Sequence, residues 1–396
     1  MVLILGLFAC DNPCAEGDDI GRSTLSAHTT LTSENGTIAA EIRWPARNAD
    51  GERWPVAVVV PGGFVADEVA AYAADLGVQN DDGVVSVQVD MAGQSWEGGV
   101  DDLRGSIARD AIALALRYAA GVQEDDDQCL ITDRSAAART DRLVMVGLSN
   151  GGNVVAATLA DSKLDLPDIL GWVSWETPSG AQFVNEEHQN SDGLYTPGAC
   201  ALGASRIECA YNVANLTLAA DGGLCFDTNA DGFCETGDFE AYGTKSRETG
   251  LEMVSPTLAK LAENAGLVAP LVGDLDTVTA FWDEREAATL ATAAVQNHPD
   301  LAVILLGSEV DHVLTGLSDH PHVFGLGEAL QRANARWTRL NPGKDWTGYS
   351  SENDPDAPFA LAAPVGWLTP EEGASLEANL AAGVREISDR TDSDSW

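Results

Sequence analysis

The chain has 396 residues, 45% of them hydrophobic, which is enough for one large core. It carries 62 acidic and 22 basic residues, a formal net charge of −40. A surface this negative repels nucleic acid and anionic membranes, so neither is expected as a partner.

Lysine is scarce (Lys163, Lys245, Lys260 and Lys344), which suits solubility in high salt, and the carboxylate excess can serve divalent cations. The chain opens Met1-Val-Leu-Ile-Leu-Gly-Leu-Phe-Ala-Cys10. This short apolar run, ending on a small residue and a cysteine, reads as an export signal even though no positive charge precedes it. Leu7-Phe8-Ala9-Cys10 resembles a bacterial lipobox, which implies a lipid on Cys10. The expected location is extracytoplasmic and bacterial in type: secreted, periplasmic or lipid-anchored at Cys10. The alternative is an N-terminal strand or helix with Cys10 buried. No other run is apolar and long enough to span a membrane.

Seven cysteines fit export: Cys10, Cys14, Cys129, Cys200, Cys209, Cys225 and Cys234. Setting Cys10 aside leaves six. Short loops suggest Cys200–Cys209 and Cys225–Cys234, which leaves Cys14–Cys129, with other pairings open. No CxxC pair occurs, so a zinc site is not expected.

Residues 37–44 read as a strand, followed by a polar turn from Pro45 to Arg53. Residues 55–60 (Pro-Val-Ala-Val-Val-Val) are a continuous β-branched run, as in a strand buried on both faces. A helix is expected over Ala66–Leu76, a strand over 84–89, and an amphipathic helix over Leu103–Ala120. Further strands are expected at 142–146, 169–175, 301–306 and near Trp337–Leu340. Helices are expected at Val154–Leu159 and Phe324–Trp337. Strands alternating with helices imply a mostly parallel sheet covered on both faces. Between Ser179 and Val254 the alternation fails in a stretch rich in Gly, Asn, Asp and Cys. The chain therefore divides into a leader and linker (1–22), a first core part (23–178), an insertion or cap (179–298), and a last core part with a C-terminal helix and tail (299–396). An insertion after the strand ending near Trp175 sits over the strand ends, where α/β sites form. The Asp125–Asp127 run and Ser388–Trp396 read as solvated loop and tail.

Gly147-Leu148-Ser149-Asn150-Gly151 is a G-x-S-x-G step between a β-branched strand and a helix. A serine there sits on a strained turn that exposes Oγ, and the flanking glycines remove Cβ clashes. Asn150 N–H lies at a helix N-terminus and can hold a developing oxyanion. A second donor is expected in Pro61-Gly62-Gly63-Phe64, with Gly63 N–H preferred and Phe64 next.

Residues 37–180 and 300–342 resemble the α/β-hydrolase family, in its esterase and dienelactone-hydrolase-like branches. The resemblance implies the chain order Ser, acid, His. Ser149 is then the nucleophile. Leu306-Gly307-Ser308-Glu309-Val310-Asp311 is similar to the family segment that carries the acid, which nominates Asp311. Glu176 in Trp175-Glu176-Thr177-Pro178 is the main rival, because some members carry the acid there, and Glu309 ranks lower. Six histidines are present, and none follows the strand near Trp337 where the family places its base. The base is therefore expected in the segment running to His320-Pro321-His322. His322 is preferred over His320, and His312 adjoins the acid and points elsewhere. Asp311, His312, His320 and His322 are also a conceivable metal set, which would leave Ser149 unexplained.

Asp227-Thr-Asn229-Ala-Asp231-Gly232-Phe233-Cys-Glu235-Thr-Gly-Asp238 matches a calcium loop. Oxygen ligands fall at Asp227, Asn229, Asp231, Glu235 and Asp238, with Phe233 giving a backbone carbonyl and Gly232 the sharp turn. Asp at the last position resembles dockerin-type loops. The expected Ca²⁺ is structural, stapled by Cys225 and Cys234, and no organic cofactor is implied.

The sequence thus points to an exported, calcium-stabilised hydrolase of small or polymeric carboxylic esters working through an acyl-enzyme. A lipase or polyester hydrolase, a peptidase on the same fold, and a catalytically inactive calcium-dependent binding protein are the alternatives.

Overall fold

Valine-rich runs set the centre of the molecule. In a computed structural model, residues 14, 18–19, 24–46, 51–62, 78, 80, 83–90, 102–178, 216–227, 231–234, 239–241, 244–246, 249–254, 256–307, 322–341 and 375–390 are described. The main sheet contains β1 (Asp18–Asp19), β2 (Thr24–Ser33), β3 (Gly36–Pro45), β4 (Trp54–Val60), β5 (Val85–Val89), β6 (Ala138–Leu148), β7 (Gly171–Trp175), β13 (Ala302–Leu306) and β14 (Trp337–Asn341). Its order is β1-β2-β3-β5-β4-β6-β7-β13-β14. The strands from β5 to β14 are mutually parallel, and β1, β2 and β3 continue the sheet antiparallel on one side.

Side chains alternate between two cores along each central strand, as the two-residue period requires. Val56, Val58 and Val60 enter one core, and Ala57 and Val59 enter the other. The first core is closed by α1 (Ser106–Ala119), α3 (Gly151–Ala160), α6 (Ala287–Asn297) and α7 (His322–Arg332). The second is closed by α8 (Leu376–Asp389) through Leu380, Val384 and Ile387. The short helix α2 (Ile131–Arg134) precedes β6.

Several expected boundaries move, each for a local reason. The helix expected from Leu103 begins at Ser106. Leu103 and Arg104 are left-handed (φ 55° and 67°), and the Asp102 carboxylate accepts the amides of Gly105 and Ile107 at 2.9 and 2.7 Å. The helix expected to reach Trp337 stops at Arg332, because Asn334 turns left-handed (φ 60°) and frees Trp337 to start β14. Ser388 is not tail: it is buried within α8, and its carbonyl accepts Arg142 Nη1 at 3.2 Å. Asp125 is not solvated either. It is buried and ion-paired to Arg134 at 2.6 Å, while Asp126 accepts the hydroxyls of Thr30 and Thr32 on β2. The helix expected at 66–76 lies outside the described residues.

The stretch after β7 holds β8 (Leu216–Leu218), β9 (Leu224–Phe226) and β10 (Phe239–Ala241) as one antiparallel sheet, and β11 (Thr244–Lys245) with β12 (Glu252–Met253) as another. With α4 (Pro256–Asn264) and α5 (Leu275–Asp283) they enclose a separate small core around Leu224, Met253, Leu258, Val278 and Trp282. The next helix, α6, returns to the main core through Ala287, Ala291 and Ala294. Disulfides join Cys14 to Cys129 and Cys225 to Cys234. Cys200 and Cys209 lie outside the described residues. Among those described, no helix is long and apolar enough to cross a membrane.

Candidate active site

The strand order reverses at β4. The chain steps from β4 outward to β5, then returns to β6 on the other side of β4. The crevice beyond the carboxyl ends of β4 and β6 is therefore the topological switch point, where open α/β sheets bind ligands. Pro61–Gly62 leaves β4 there, and Ser149 leaves β6 there.

Ser149 occupies a left-handed turn (φ 50°) between β6 and α3. Its amide donates to Trp175 O on β7 at 2.8 Å, and its carbonyl accepts Gly152 N at 2.9 Å. Left-handed backbone is costly for a residue with a Cβ and persists where the surroundings enforce it, commonly at functional sites. Two glycines make the approach possible. A Cβ on Gly62 would meet Ser149 Cβ at 2.9 Å, and one on Gly151 would collide with the backbone carbonyl oxygens of Val60 and Pro61. Gly62, just after β4, thus lies against Ser149. Asn150 is the N-cap of α3, so its amide is at the positive end of that helix. Its side-chain carbonyl accepts from Asn153 at 2.8 Å, and Asn153 in turn accepts the amide of Ala287 at 2.9 Å. Together these bonds fasten the start of α3 to α6.

Glu176 is the second left-handed non-glycine residue on this rim (φ 42°) and is only 1% exposed. Its amide donates to Leu306 O at the end of β13 at 2.9 Å. Next to it Thr177 Oγ1 lies 2.5 Å from Ser174 Oγ. The β6, β7 and β13 ends are thereby laced together beside Ser149. Just after β5, one strand beyond β4, burial pushes the Asp90 carboxyl above the usual carboxylate range.

Of the residues nominated from sequence, Ser149, Asn150 and Glu176 converge on this rim. Gly63, Asp311 and His320 lie outside the described residues. His322 is the first residue of α7, and only its backbone is described. Sequence reasoning gave Gly62 no role of its own, and it missed Arg104. Buried at 3% exposure, Arg104 donates to the carbonyls of Pro61 and Gly62 at 3.2 and 2.7 Å. No local motif announces a residue that acts across 42 positions of chain.

In the calcium-loop segment, the buried Asp227 accepts the amides of Asp231 at 3.2 Å and of Gly232, which is left-handed (φ 88°). Asp231 accepts the amide of Phe233 at 2.9 Å. Asn229, Glu235 and Asp238 lie outside the described residues. A cavity of about 610 Å³ beside α4 and α5 is lined by residues of the small core and its surface, including Leu224, Ala262, Leu267 and Leu275. Among the described residues, none of those nominated lines it.

No protein-family model matches the sequence, and no curated protein matches it. Solved structures overlap it loosely. Brefeldin A esterase, described as a bacterial homologue of human hormone-sensitive lipase, is 14% identical with a TM-score of 0.47, over 96% of this chain and 81% of that one. A fungal esterase from Rhizomucor miehei is 13% identical with a TM-score of 0.45, over 93% and 85%. A lipase/esterase from Lactobacillus plantarum is 12% identical with a TM-score of 0.41, over 81% and 91%. Overlaps this loose carry no reading of activity. The parallel sheet covered on both faces, its reversal at β4 and the strand–turn–helix step at Ser149 give the architecture by themselves: an α/β-hydrolase fold.

Proposed function

We propose that the chain is an exported, calcium-stabilised serine hydrolase that cleaves carboxylic esters through an acyl-enzyme. The observation that carries this reading is Ser149 in a left-handed turn at the sheet's switch point, with Gly62 closed against its side chain. His322, or alternatively His320, takes the Ser149 proton as Oγ attacks the ester carbonyl. Gly63 and Asn150 N–H groups hold the oxyanion, Asp311 orients the imidazole, the alcohol leaves with the returned proton, and water deacylates the enzyme. A second reading for the acid is Glu176, favoured by its burial and by its place one strand from Ser149. Loss of kcat in Asp311→Asn but not Glu176→Gln supports the first, and the reverse supports the second.

Fluorophosphonate is expected to label Ser149 in the folded, calcium-loaded protein, with turnover of p-nitrophenyl esters and not of peptide anilides. Absence of label moves the reading to an inactive calcium-dependent binding protein, and anilide cleavage moves it to a peptidase. Turnover confined to long-chain or polymeric esters moves it to a lipase or polyester hydrolase. The Cys14–Cys129 and Cys225–Cys234 bridges support export, because disulfides persist in oxidising compartments. A lipid on Cys10 is the proposed anchor.

Calcium is proposed at Asp227, Asn229, Asp231, the Phe233 carbonyl, Glu235 and Asp238. The donor set is all oxygen, which suits a hard cation. The turn of Asp227 around the Asp231 and Gly232 amides supports this reading. Stripping calcium with a chelator is expected to lower the thermal midpoint by several degrees, with recovery on adding Ca²⁺ but not Mg²⁺. At calcium about a hundredfold above its Kd the linkage is worth about 2.7 kcal/mol. An unchanged midpoint, or an equal response in Asp227→Ala, removes the site.

A further inference from the structure

We propose that Arg104 is a positioning residue that sets the loop after β4 for oxyanion binding, and that Arg285 holds Arg104 in place. The proposal rests on the serine-hydrolase reading. That loop touches Ser149 through Gly62, and a glycine-rich segment has little conformational preference of its own. What fixes it is the buried Arg104 guanidinium, with Nη1 on Pro61 O at 3.2 Å and Nη2 on Gly62 O at 2.7 Å. The amide that follows the Gly62 carbonyl in the chain is that of Gly63. A charged donor on a peptide carbonyl polarises the whole peptide unit and strengthens its N–H as a donor, more so away from water. Arg104 therefore acts both on where Pro61 and Gly62 lie and on how well the amide of that last peptide unit binds negative charge.

The arrangement costs backbone strain. Leu103 and Arg104 are consecutive left-handed non-glycine residues (φ 55° and 67°). Such a pair persists only when neighbours enforce it. Arg285 supplies the enforcement: Nε donates to Leu103 O at 3.0 Å and Nη2 to Asp102 O at 3.2 Å. Its third nitrogen, Nη1, donates to Phe281 O at 3.0 Å, and the guanidinium stacks 3.9 Å over the Phe281 ring. Phe281 belongs to α5 and packs on the small core of the insertion. Two guanidinium groups thus connect the insertion to the loop beside Ser149, so the insertion takes part in setting the rate.

The test uses the full chain as wild type, Arg104→Met, Arg104→Lys and Arg285→Met. Five quantities are read: kcat and KM on p-nitrophenyl acetate, the fluorophosphonate labelling rate, inhibition by a trifluoromethyl ketone and inhibition by acetate. Arg104→Met is expected to lower kcat by about 10- to 100-fold with little change in KM, below the loss for deleting a direct donor. Labelling and ketone affinity should fall by a similar factor, with acetate binding unchanged. Arg104→Lys should recover part of the loss, and Arg285→Met should show a smaller fall of the same kind. Wild-type kcat in folded Arg104→Met overturns the proposal. So does a parallel loss of ketone and acetate binding with no recovery in Arg104→Lys. If Arg104→Met does not fold, wild-type rates in both Arg104→Lys and Arg285→Met overturn it. Wild-type protein that is neither labelled nor active removes the hydrolase reading itself, a different failure.

Discussion

Ser149→Ala is expected to lower kcat/KM on p-nitrophenyl acetate by a factor on the order of 10⁴ or more and to abolish fluorophosphonate labelling. The size follows from the chemistry. Without Oγ no acyl-enzyme forms, and what remains is the smaller effect of binding the ester beside oxyanion donors. The fold should survive, because the backbone bonds of Ser149, to Trp175 O and from Gly152 N, do not involve the side chain. Ser149→Gly is the informative companion. It should be equally inactive yet more stable than Ser149→Ala by up to about 1 kcal/mol, because glycine adopts a positive φ without strain. Stability would then rise at this residue while activity stays abolished, as expected where strain serves a reactive geometry. Retention of more than a few per cent of wild-type activity in Ser149→Ala would place the nucleophile elsewhere.

The parts of this molecule that local sequence determines were legible. β4, the second half of β6 from Leu143 to Leu148, and β13 are apolar runs because both of their faces are buried, and such runs stand out in any reading. The Ser149 turn is equally local: strand, glycine, serine, glycine and helix follow one another within a few residues. By contrast β2 escaped notice, because its threonines and serines suit a sheet margin and read as loop. The helices of the insertion escaped for another reason, since α4, α5 and α6 follow a segment whose composition breaks the expected alternation. Two site features depend on distant contacts and leave no trace in spacing. Arg104 reaches Gly62, and Glu176 is buried with its amide bonded to the end of β13. Asp311 and His320 were reached only through resemblance, and both fall outside the described residues.

The largest stability effect is expected where the sequence suggested only solvent. Asp125 and Arg134 form an ion pair at 2.6 Å with side chains 0% and 4% exposed. Asp125 also accepts the amides of Asp127 and Cys129 at 3.0 and 2.9 Å, and Arg134 also pairs with the half-exposed Asp127 at 2.8 Å. The pair therefore ties together the loop that carries Cys129, itself bridged to Cys14, and it meets β2 at Thr29. Arg134→Met is expected to destabilise the fold by about 3–5 kcal/mol, because it leaves a carboxylate buried without its cation. Arg134→Met with Asp125→Leu should cost less than the two single changes added together.

The pH dependence gives the sharper check. In the wild type, burial opposes the charged carboxylate. The Arg134 hydrogen bond, the Cys129 amide, Thr29 and the charge of Arg134 outweigh it and hold Asp125 below its ordinary value of 3.8. Its contribution is therefore fully present above that value and is lost as pH falls through the lower folded value. In Arg134→Met the balance reverses and burial raises the carboxyl, so acid relieves the variant before it harms the wild type. The stability gap, measured by urea unfolding, should be widest near pH 7 and should narrow steadily toward pH 4. A gap of the same size at both pH values would mean that Arg134 stabilises this corner by packing alone.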